Sequence, residues 1–467
     1  MNVPFLHKPI KTQLKKLESE LHRQWKAFNR ELKQGKLKHV IYDKETQKLT
    51  WHKPVVNRNK AKETRFYEQL PFCDVADVFH FVNGQCNFLQ TMKPLQPRYV
   101  KKSADVDSLM AVIVAQAMNH GNHVMARTSD IPFHVLESTY EQYLRFASLV
   151  TANDCITNAI EALPIFPYYS FDPETLYGAV DGQKYGVERP TVKARYSRKY
   201  FGRGKGMVAY TMLCNHIPIN GYLIGTNDYE AHHVFDIWYR NTSEVKPTAI
   251  TGDMHSLNKA NFALLHWFGL RFEPHFTDLN KQLQELYCAR DPSAYKNCLI
   301  QPAGRIDLDL ISREKNNLDR IVATLGLKEM TQGTLVRSIY TLKYLRDPQL
   351  ERNIRRSQNK VESYHQLRAA IAKVGGKKEL TGKNDIETEI SNQCGRLISN
   401  AIIYYNSAIL SRLLERLEAE GNTKSIDALT RISPVAWQHI LLNGHYTFQH
   451  SNEIIDLDEL VAGLKLG

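Results

Sequence analysis

The stretch TLYGAVDGQKYG, residues 175–186, joins β-branched and aromatic residues to an aspartate that glycine follows at once. A run of this kind predicts a β-strand, and Asp181 then lies at the end of that strand or in a turn. Further short apolar runs bounded by Gly, Pro and Asn cover 190–201, 206–214, 217–225 and 246–253, with a helix predicted over 227–241. Five strands and one helix in this order predict a mixed α/β sheet, in a fold class between α+β and α/β.

Helical patterns flank the predicted sheet on both sides. Residues 11–36 have apolar residues at helical spacing, and residues 37–54 alternate as two short strands around a polar turn. The remaining segments are predicted as mostly helical over 76–165 and 277–347, as long helices over 349–374 and 385–421, and as short helices over 424–467.

Composition and charge restrict the class of protein. The chain of 467 residues has a formal net charge of +12, and residues 1–66 hold 17 Lys and Arg against 6 Asp and Glu. A positive potential attracts polyanions, among which nucleic acid is the commonest partner, although a solvated basic helix without a partner has the same composition. The apolar runs are too short for a membrane span, the N-terminus has no apolar signal core, and seven scattered cysteines suit a reducing cytoplasm.

Two further carboxylates have settings like that of Asp181. Asp253 ends an apolar strand, and Glu362 lies on a basic helix one turn before His365. Each has an ordinary explanation, as an Asp-Gly turn, a helix N-cap or a salt-bridge partner. Together, a strand Asp, a later strand Asp and a helix Glu are typical of two-metal phosphoryl transfer, because Mg²⁺ prefers oxygen ligands.

Several segments together resemble the catalytic half of the Tn-three family of replicative transposases. The resemblance extends over most of residues 95–450 and rests on RYVKKSADVDSLMAVIVAQAMNHG (98–121), VDGQKY (180–185), KYFGRGKGMVAYTMLCNH (199–216), IGTNDYEAHHVFDIWYRN (224–241), TAITGDMHSLNKANFALLHWFGLRFEPHFTDL (248–279), NKVESYHQLRAAI (359–371), SNAIIYYNSAIL (399–410) and ISPVAWQHILLNGHYTF (432–448). It implies an RNase H-like core whose catalytic, metal-binding triad is Asp181, Asp253 and Glu362, with two Mg²⁺ ions that Mn²⁺ can replace.

The family implies DNA strand cleavage at transposon ends, followed by transfer of the freed 3′-hydroxyl into target DNA. The implied partner is double-stranded DNA bound by a homodimer in the bacterial cytoplasm, near the nucleoid, without a membrane or a small-molecule substrate. The expected domains are 1–75 (basic helix and β-hairpin, for dimerisation or DNA contact), 76–165 (helical scaffold), 166–276 (first part of the RNase H-like core), 277–347 (mostly helical insertion), 348–421 (second part of the core, with the Glu362 helix) and 422–467 (C-terminal helical region).

The chain departs from the family pattern in two respects. Family members are roughly twice as long and begin with domains that read the transposon ends, and those domains have no counterpart here. The alternative function is therefore a truncated, non-catalytic DNA-binding fragment that joins inactive assemblies. The second departure is Met254, where the family often has Thr after the second Asp; this residue is beside the ligand, so we expect it to be tolerated.

Two basic groups are candidates for DNA contact. The segment 189–205 contains no acidic residue, and its aromatic residues could stack on an unpaired base while the cations neutralise phosphates. An exposed basic hairpin without a ligand is the alternative. The candidates in this segment are Arg195, Arg198, Lys199, Arg203 and Lys205, and a second row on the Glu362 helix comprises Arg355, Arg356 and Lys360.

A different class of protein also shares part of the pattern. Glu-x-x-His occurs twice, at Glu230 and at Glu362, and two such motifs form half of a carboxylate-bridged di-iron site in a four-helix bundle. The first motif is predicted in a short helix among strands, which does not suit such a bundle. Within a transposase, Glu230 and His365 would instead support the metal ligands.

Overall fold

The computed structural model describes residues 9–52, 65–96, 105–316, 330–449 and 455–466. Its α-helices are α1 (Ile10–Lys33), α2 (Val75–Cys86), α3 (Val106–Ala117), α4 (Gly121–Thr128), α5 (Phe133–Tyr143), α6 (Phe146–Glu161), α7 (Arg198–Phe201), α8 (Val234–Tyr239), α9 (Lys259–Trp267), α10 (Leu279–Gln284), α11 (Leu308–Arg313), α12 (Met330–Arg346), α13 (Pro348–Lys373), α14 (Asp385–Ala419), α15 (Thr423–Leu429) and α16 (Leu457–Ala462). The strands are β1 (Val40–Asp43), β2 (Lys48–Trp51), β3 (Cys73–Asp74), β4 (Tyr177–Val187), β5 (Arg195–Tyr196), β6 (Lys205–Cys214), β7 (Ile217–Gly225), β8 (Ala249–Gly252), β9 (Arg271–Phe272), β10 (Tyr287–Cys288), β11 (Gly304–Arg305), β12 (Glu379–Leu380) and β13 (Ile440–Leu441).

A seven-stranded mixed sheet forms the centre of the fold, as the sequence predicts. Strand β4 pairs antiparallel with β6, which pairs antiparallel with β7 and β5 on its other edge. On the opposite edge of β4, β8 runs parallel to its first half and is followed outward by the parallel strand β9. This mixed sheet between helical flanks is consistent with an RNase H-like core, so the expected fold class is confirmed.

Strand β4 has two partners along one edge, with a gap between them. Strand β8 pairs with Tyr177 to Val180, and β12 pairs with Gly186 and Val187. Among the described strands, none pairs with residues 181–185 on this edge. Asp181 therefore lies where the sheet opens, directly beyond the last residue pair of β4 and β8.

Helix α13 lies along one face of β4. Its start is specified locally, since the Asp347 carboxylate accepts a hydrogen bond from the Gln349 backbone amide at 2.9 Å and proline occupies the first helical position. Further along, Gln183 Nε2 donates to the carbonyl oxygen of His365 at 2.6 Å. The Glu362 helix is thus fastened to the strand that contains Asp181.

Helix α14 is buried along most of its length and joins the helical region to the sheet. It packs against α6, α3 and β7. Two of its side chains donate to backbone carbonyls of β7, with Gln393 Nε2 to Gly221 at 2.7 Å and Arg396 Nε to Pro218 at 3.0 Å. The helix therefore covers an edge strand of the sheet and satisfies its exposed acceptors.

The basic N-terminal helix packs into the fold through one face. Trp25 is fully buried and donates from Nε1 to the carbonyl oxygen of Ile300 at 2.9 Å. The Arg346 guanidinium pairs with both carboxylate oxygens of Glu31, at 2.6 and 3.0 Å. Helix α1 is therefore joined to the region that the sequence assigns as an insertion. The expected hairpin β1–β2 forms directly after it.

Two expectations on secondary structure need correction. The strand expected over 190–201 is reduced to β5, which has two residues, followed by the one-turn helix α7. Most of this segment is exposed, so no buried face favours extended structure there. The stretch 277–347 also contains a two-stranded parallel sheet, β10 with β11, between its short helices. In the described ranges, no helix is long and apolar enough to cross a bilayer.

Gly206 anchors the segment that follows β5, and its replacement tests that contact. A Cβ atom at Gly206 would overlap both the Phe201 ring and the carbonyl oxygen of Tyr185. We expect Gly206→Ala to lower the free energy of unfolding by about 1–3 kcal/mol, measured by urea denaturation. Gly204→Ala is the matched control, because its Cβ would meet only the Phe201 carbonyl oxygen at 3.2 Å and the Phe201 Cβ at 3.7 Å. Equal losses in both variants would contradict the assignment of Gly206 as the anchor.

Candidate active site

Asp181 and Asp253 both lie directly beyond the last residue pair of the parallel strands β4 and β8, Asp181 within β4 and Asp253 after the end of β8. The ladder between β4 and β8 ends with the pair Val180 and Gly252, and each aspartate follows directly. Asp253 also caps the 3₁₀ turn Met254–Ser256, since its Oδ1 accepts from the His255 amide at 2.8 Å. The N-cap role considered from sequence is therefore present, and it fixes the carboxylate at the opening of the sheet.

Burial and neighbouring negative charge change the protonation of Asp181. Its pKa is raised to about 7, chiefly by burial and then by the charges of Asp253 and Glu230. The pKa of Glu230 is raised by burial, while the Lys184 ammonium opposes that shift. The negative charges of Asp253 and Glu230 disfavour ionisation of Asp181, and a divalent cation bound between Asp181 and Asp253 would relieve the repulsion within that pair. The donor set therefore fits Mg²⁺.

Glu362 and His365 lie on helix α13, on the side of the sheet that Asp181 faces. His365 Nδ1 is 3.7 Å from Asp181 Oδ2, and burial lowers the pKa of His365 to about 3, so the imidazole is neutral. Glu362, one turn earlier, is exposed, and its Oε1 accepts from Gln366 Nε2 at 3.3 Å. Histidine is thus the group on this helix that contacts Asp181, while the glutamate side chain is turned to solvent.

The three predicted ligands do not form a closed cluster in this conformation. Among the residues that the structure describes, no group of three or more His, Cys, Asp or Glu side chains is arranged to hold a metal ion. The structure brings Asp181 and Asp253 together and fastens the Glu362 helix beside them. The role of Glu362 as third ligand stays a prediction.

Glu230 covers the opposite face of β4. It lies in the 3₁₀ turn Glu230–His233, and a Cβ atom on Gly182 would be only 2.6 Å from its Oε1. Lys184 Nζ is 3.5 Å from the same oxygen, while Oε2 is buried without a hydrogen-bond partner. Because Glu230 and Glu362 flank opposite faces of a sheet, the two Glu-x-x-His motifs do not share a four-helix bundle, and the di-iron interpretation is wrong.

The basic segment, residues 189–205, is largely exposed. The five cations named from sequence, Arg195, Arg198, Lys199, Arg203 and Lys205, are all exposed. Two aromatic side chains between them are also exposed, Tyr196 by 52% and Tyr200 by 43%. The segment therefore presents cations and aromatic rings to solvent together, the arrangement that nucleic-acid contact requires.

The second basic row is less uniform than the sequence predicts. Arg356 is exposed, and Arg355 Nε lies 4.0 Å from a Glu351 carboxylate oxygen. Lys360 Nζ points inward, donating to the Tyr169 carbonyl oxygen at 2.6 Å and lying 4.9 Å from the Phe171 ring centroid. Burial lowers the pKa of Lys360 to about 7. In this structure its ammonium group joins two segments of the fold and is directed away from the surface row.

Two lysines beside the centre were missed from sequence. Lys184 contacts Glu230 as described, and Lys378 lies with Nζ 5.0 Å from the Tyr185 ring centroid. The pKa of Lys378 is lowered, mainly by burial and then by Lys373 and Lys184, while Glu362 opposes the shift. The available signal was the Lys-Lys pair after Gly375 and Gly376.

A mixed sheet with two aspartates directly beyond the last pair of neighbouring parallel strands is typical of one class of proteins, the RNase H-like proteins with acidic active sites. Residues 77–338 and 331–446 match the family model described as the Tn3 transposase DDE domain, and the chain belongs to that family. The resemblance seen in the sequence is thereby confirmed. A DDE domain implies dependence on a divalent metal in general.

Individual relatives agree with the family assignment. The chain is 24% identical to the transposase for transposon Tn4556 of Streptomyces fradiae over 386 residues, which are 77% of this chain and 42% of that protein. It is 22% identical to the transposase for transposon gamma-delta of Escherichia coli (strain K12), over 84% of this chain and 41% of that protein. For the transposase for transposon Tn1546 of Enterococcus faecium the identity is 24%, over 93% and 46%. The chain spans less than half the length of these relatives.

The raised pKa of Asp181 has a consequence for stability. The folded state holds this proton with a pKa of about 7 against an ordinary value of 3.8, so stability is lost as the pH rises between the two values. In EDTA at pH 8 we expect Asp181→Asn to unfold at a higher temperature than the wild type, and the advantage should shrink toward pH 4. The melting temperature measured by circular dichroism tests this expectation.

The same pair of proteins reports on metal binding. At pH 8, Mg²⁺ should raise the melting temperature of the wild type and raise that of Asp181→Asn much less, because one carboxylate ligand is lost. Asp427→Asn is the matched control, since Asp427 is exposed and pairs only locally with Arg431. If the melting temperatures of the wild type and Asp181→Asn differ by the same amount at every pH in EDTA, the raised pKa of Asp181 is contradicted.

Proposed function

We propose that this chain is the catalytic part of a DNA transposase, which cleaves one DNA strand at each transposon end and joins the freed 3′-hydroxyl to target DNA. The single observation that supports it best is that Asp181 and Asp253 lie side by side, directly beyond the last pair of the parallel strands β4 and β8, within a DDE-family fold. Two carboxylates at that position, with the Glu362 helix fastened beside them, match the donors that phosphodiester chemistry with divalent ions requires.

Asp181, Asp253 and Glu362 would hold two Mg²⁺ ions, with Mn²⁺ as a substitute. When bound, such ions supply activation of the attacking oxygen and charge stabilisation of the leaving oxygen. The chain's own groups have different tasks. The neutral His365 ring orients the Asp181 carboxylate, and Gln183 holds the helix that presents Glu362. No general-base histidine is needed for the reaction.

The basic segment would position the DNA backbone. The exposed cations of residues 195–205 lie on the edge strand β5 and its following turn, two strands away from Asp181. Each phosphate that such a cation neutralises contributes to affinity without reading sequence. The partner would be double-stranded DNA at the transposon ends and in the target, bound by a homodimer.

The experiment uses DNA from either side of the gene that encodes the chain, because such fragments contain the candidate transposon ends. Purified protein is incubated with these fragments in Mg²⁺, and nicking and strand transfer are resolved on denaturing gels. We expect Asp253→Asn and Glu362→Gln each to lower the cleavage rate by at least about a hundredfold. Removing a group that only hydrogen-bonds a metal ligand already lowers activity by about 10–100-fold, and these residues are the expected ligands themselves. Glu420→Gln, an exposed glutamate at the end of α14, is the matched control.

The outcomes separate the proposal from its alternative. Wild-type rates for Glu362→Gln, in both Mg²⁺ and Mn²⁺, would remove that residue from the catalytic assignment. A wild-type protein that binds the fragments and cleaves none of them would favour the non-catalytic DNA-binding fragment.

A further inference from the structure

Lys184 contacts two parts of the molecule that are separate in sequence. Its Nζ lies 3.5 Å from Glu230 Oε1 and 4.8 Å from the centroid of the Tyr200 ring. Glu230 covers Gly182, the neighbour of Asp181. One lysine side chain therefore contacts both Glu230, beside Asp181, and the Tyr200 ring of the exposed basic segment.

The Tyr200 ring is exposed in a position where a nucleobase could stack on it. It is 43% exposed, and a second ammonium, that of Lys199, lies 4.9 Å from its centroid. The next residue, Phe201, packs on Gly206 and anchors the turn, so Tyr200 is left on the outer side. An exposed ring between cations loses water readily when a base stacks on it, and the cations compensate the adjoining phosphates.

Intact duplex does not present base faces, because its bases are stacked on one another. A phosphate-binding surface alone would hold duplex and single strand through charge, whereas an exposed ring adds affinity only for an unpaired base. Tyr200 is one side chain, that of Lys184, away from Glu230, so a base stacked on it would lie on the Glu230 side of β4, close to the strand that contains Asp181.

We propose that residues 195–205 bind an unpaired nucleotide of the DNA by stacking on Tyr200. Lys184 is the positioning residue that holds this ring beside Glu230. This inference rests on the proposed function for its biological meaning. It names the substrate state of that site, which is DNA with a locally opened strand. Strand opening at the cleavage point then becomes a binding property of this chain.

The test measures binding in EDTA, so that no strand is cut. Fluorescence anisotropy compares a labelled 20-nucleotide single strand with the blunt duplex of the same sequence. Tyr200→Leu retains an apolar side chain but has no ring, and it should weaken single-strand binding about tenfold and duplex binding less than twofold. Tyr200→Phe should match the wild type. Tyr168→Ala, an exposed tyrosine that bonds Glu418 in another region, is the matched control.

Further variants separate stacking from charge. Replacing Arg198 and Arg203 with Ala should weaken both ligands and lower the slope of affinity against salt, whereas Tyr200→Leu should leave that slope unchanged. Lys184→Arg keeps a cation beside the ring and should retain the single-strand preference, and Lys184→Met should reduce it. Circular dichroism of each variant confirms that it is folded.

Equal losses on single strand and duplex in Tyr200→Leu, or no loss on either, would overturn the inference. The result is independent of catalysis, because binding is measured in EDTA, where no strand is cut. A chain that prefers single strands through Tyr200 but never cleaves DNA would refute the proposed function and leave this inference intact.

Discussion

The arrangement of partners along strand β4 is the constraint on which the rest of the structure depends. Strand β8 pairs with its first residues and β12 with its last, so among the described strands residues 181–185 have an open edge between two paired segments. The backbone at Asp181 is held in register by β6 on the other side. Asp181 is thereby fixed at an opening in the sheet while its backbone remains part of β4.

Gathering carboxylates at this opening is unfavourable, and the surrounding residues compensate in different ways. Lys184 neutralises Glu230 on one face of the sheet, and the neutral His365 ring contacts Asp181 on the other. Burial, and then the remaining repulsion from Asp253, raises the pKa of Asp181. Part of the protein's stability is thus lost by gathering carboxylates at this opening, as is common where function requires strain.

The parts of the fold that local pattern specifies could be predicted, and those that need distant contacts could not. Strand β4 followed from a short run of β-branched and aromatic residues. The position expected for Asp181, at the strand end or in an Asp-Gly turn, was wrong, because β4 continues through Asp181 to Val187, paired with β6. The strand expected over 190–201 was wrong because its residues have no sheet partner beyond β5. Lys360 could have been placed correctly, since it shares the helix face of the buried residues Ser357 and Tyr364. The contact between Lys184 and Glu230 joins residues far apart in sequence, and no spacing rule indicates it.

Helix α13 is attached to β4 near its middle and beyond its end. Gln183 bonds the His365 carbonyl oxygen, and β12, which follows the helix by a short loop, pairs with the end of β4. A helix tied in this way cannot slide along the sheet without breaking both connections. For the proposed triad, Glu362 would therefore reach the aspartates by rotation of its side chain, a motion that takes picoseconds to nanoseconds for an exposed residue. Completion of the site would then be limited by the arrival of cations and DNA, and not by a movement of the backbone.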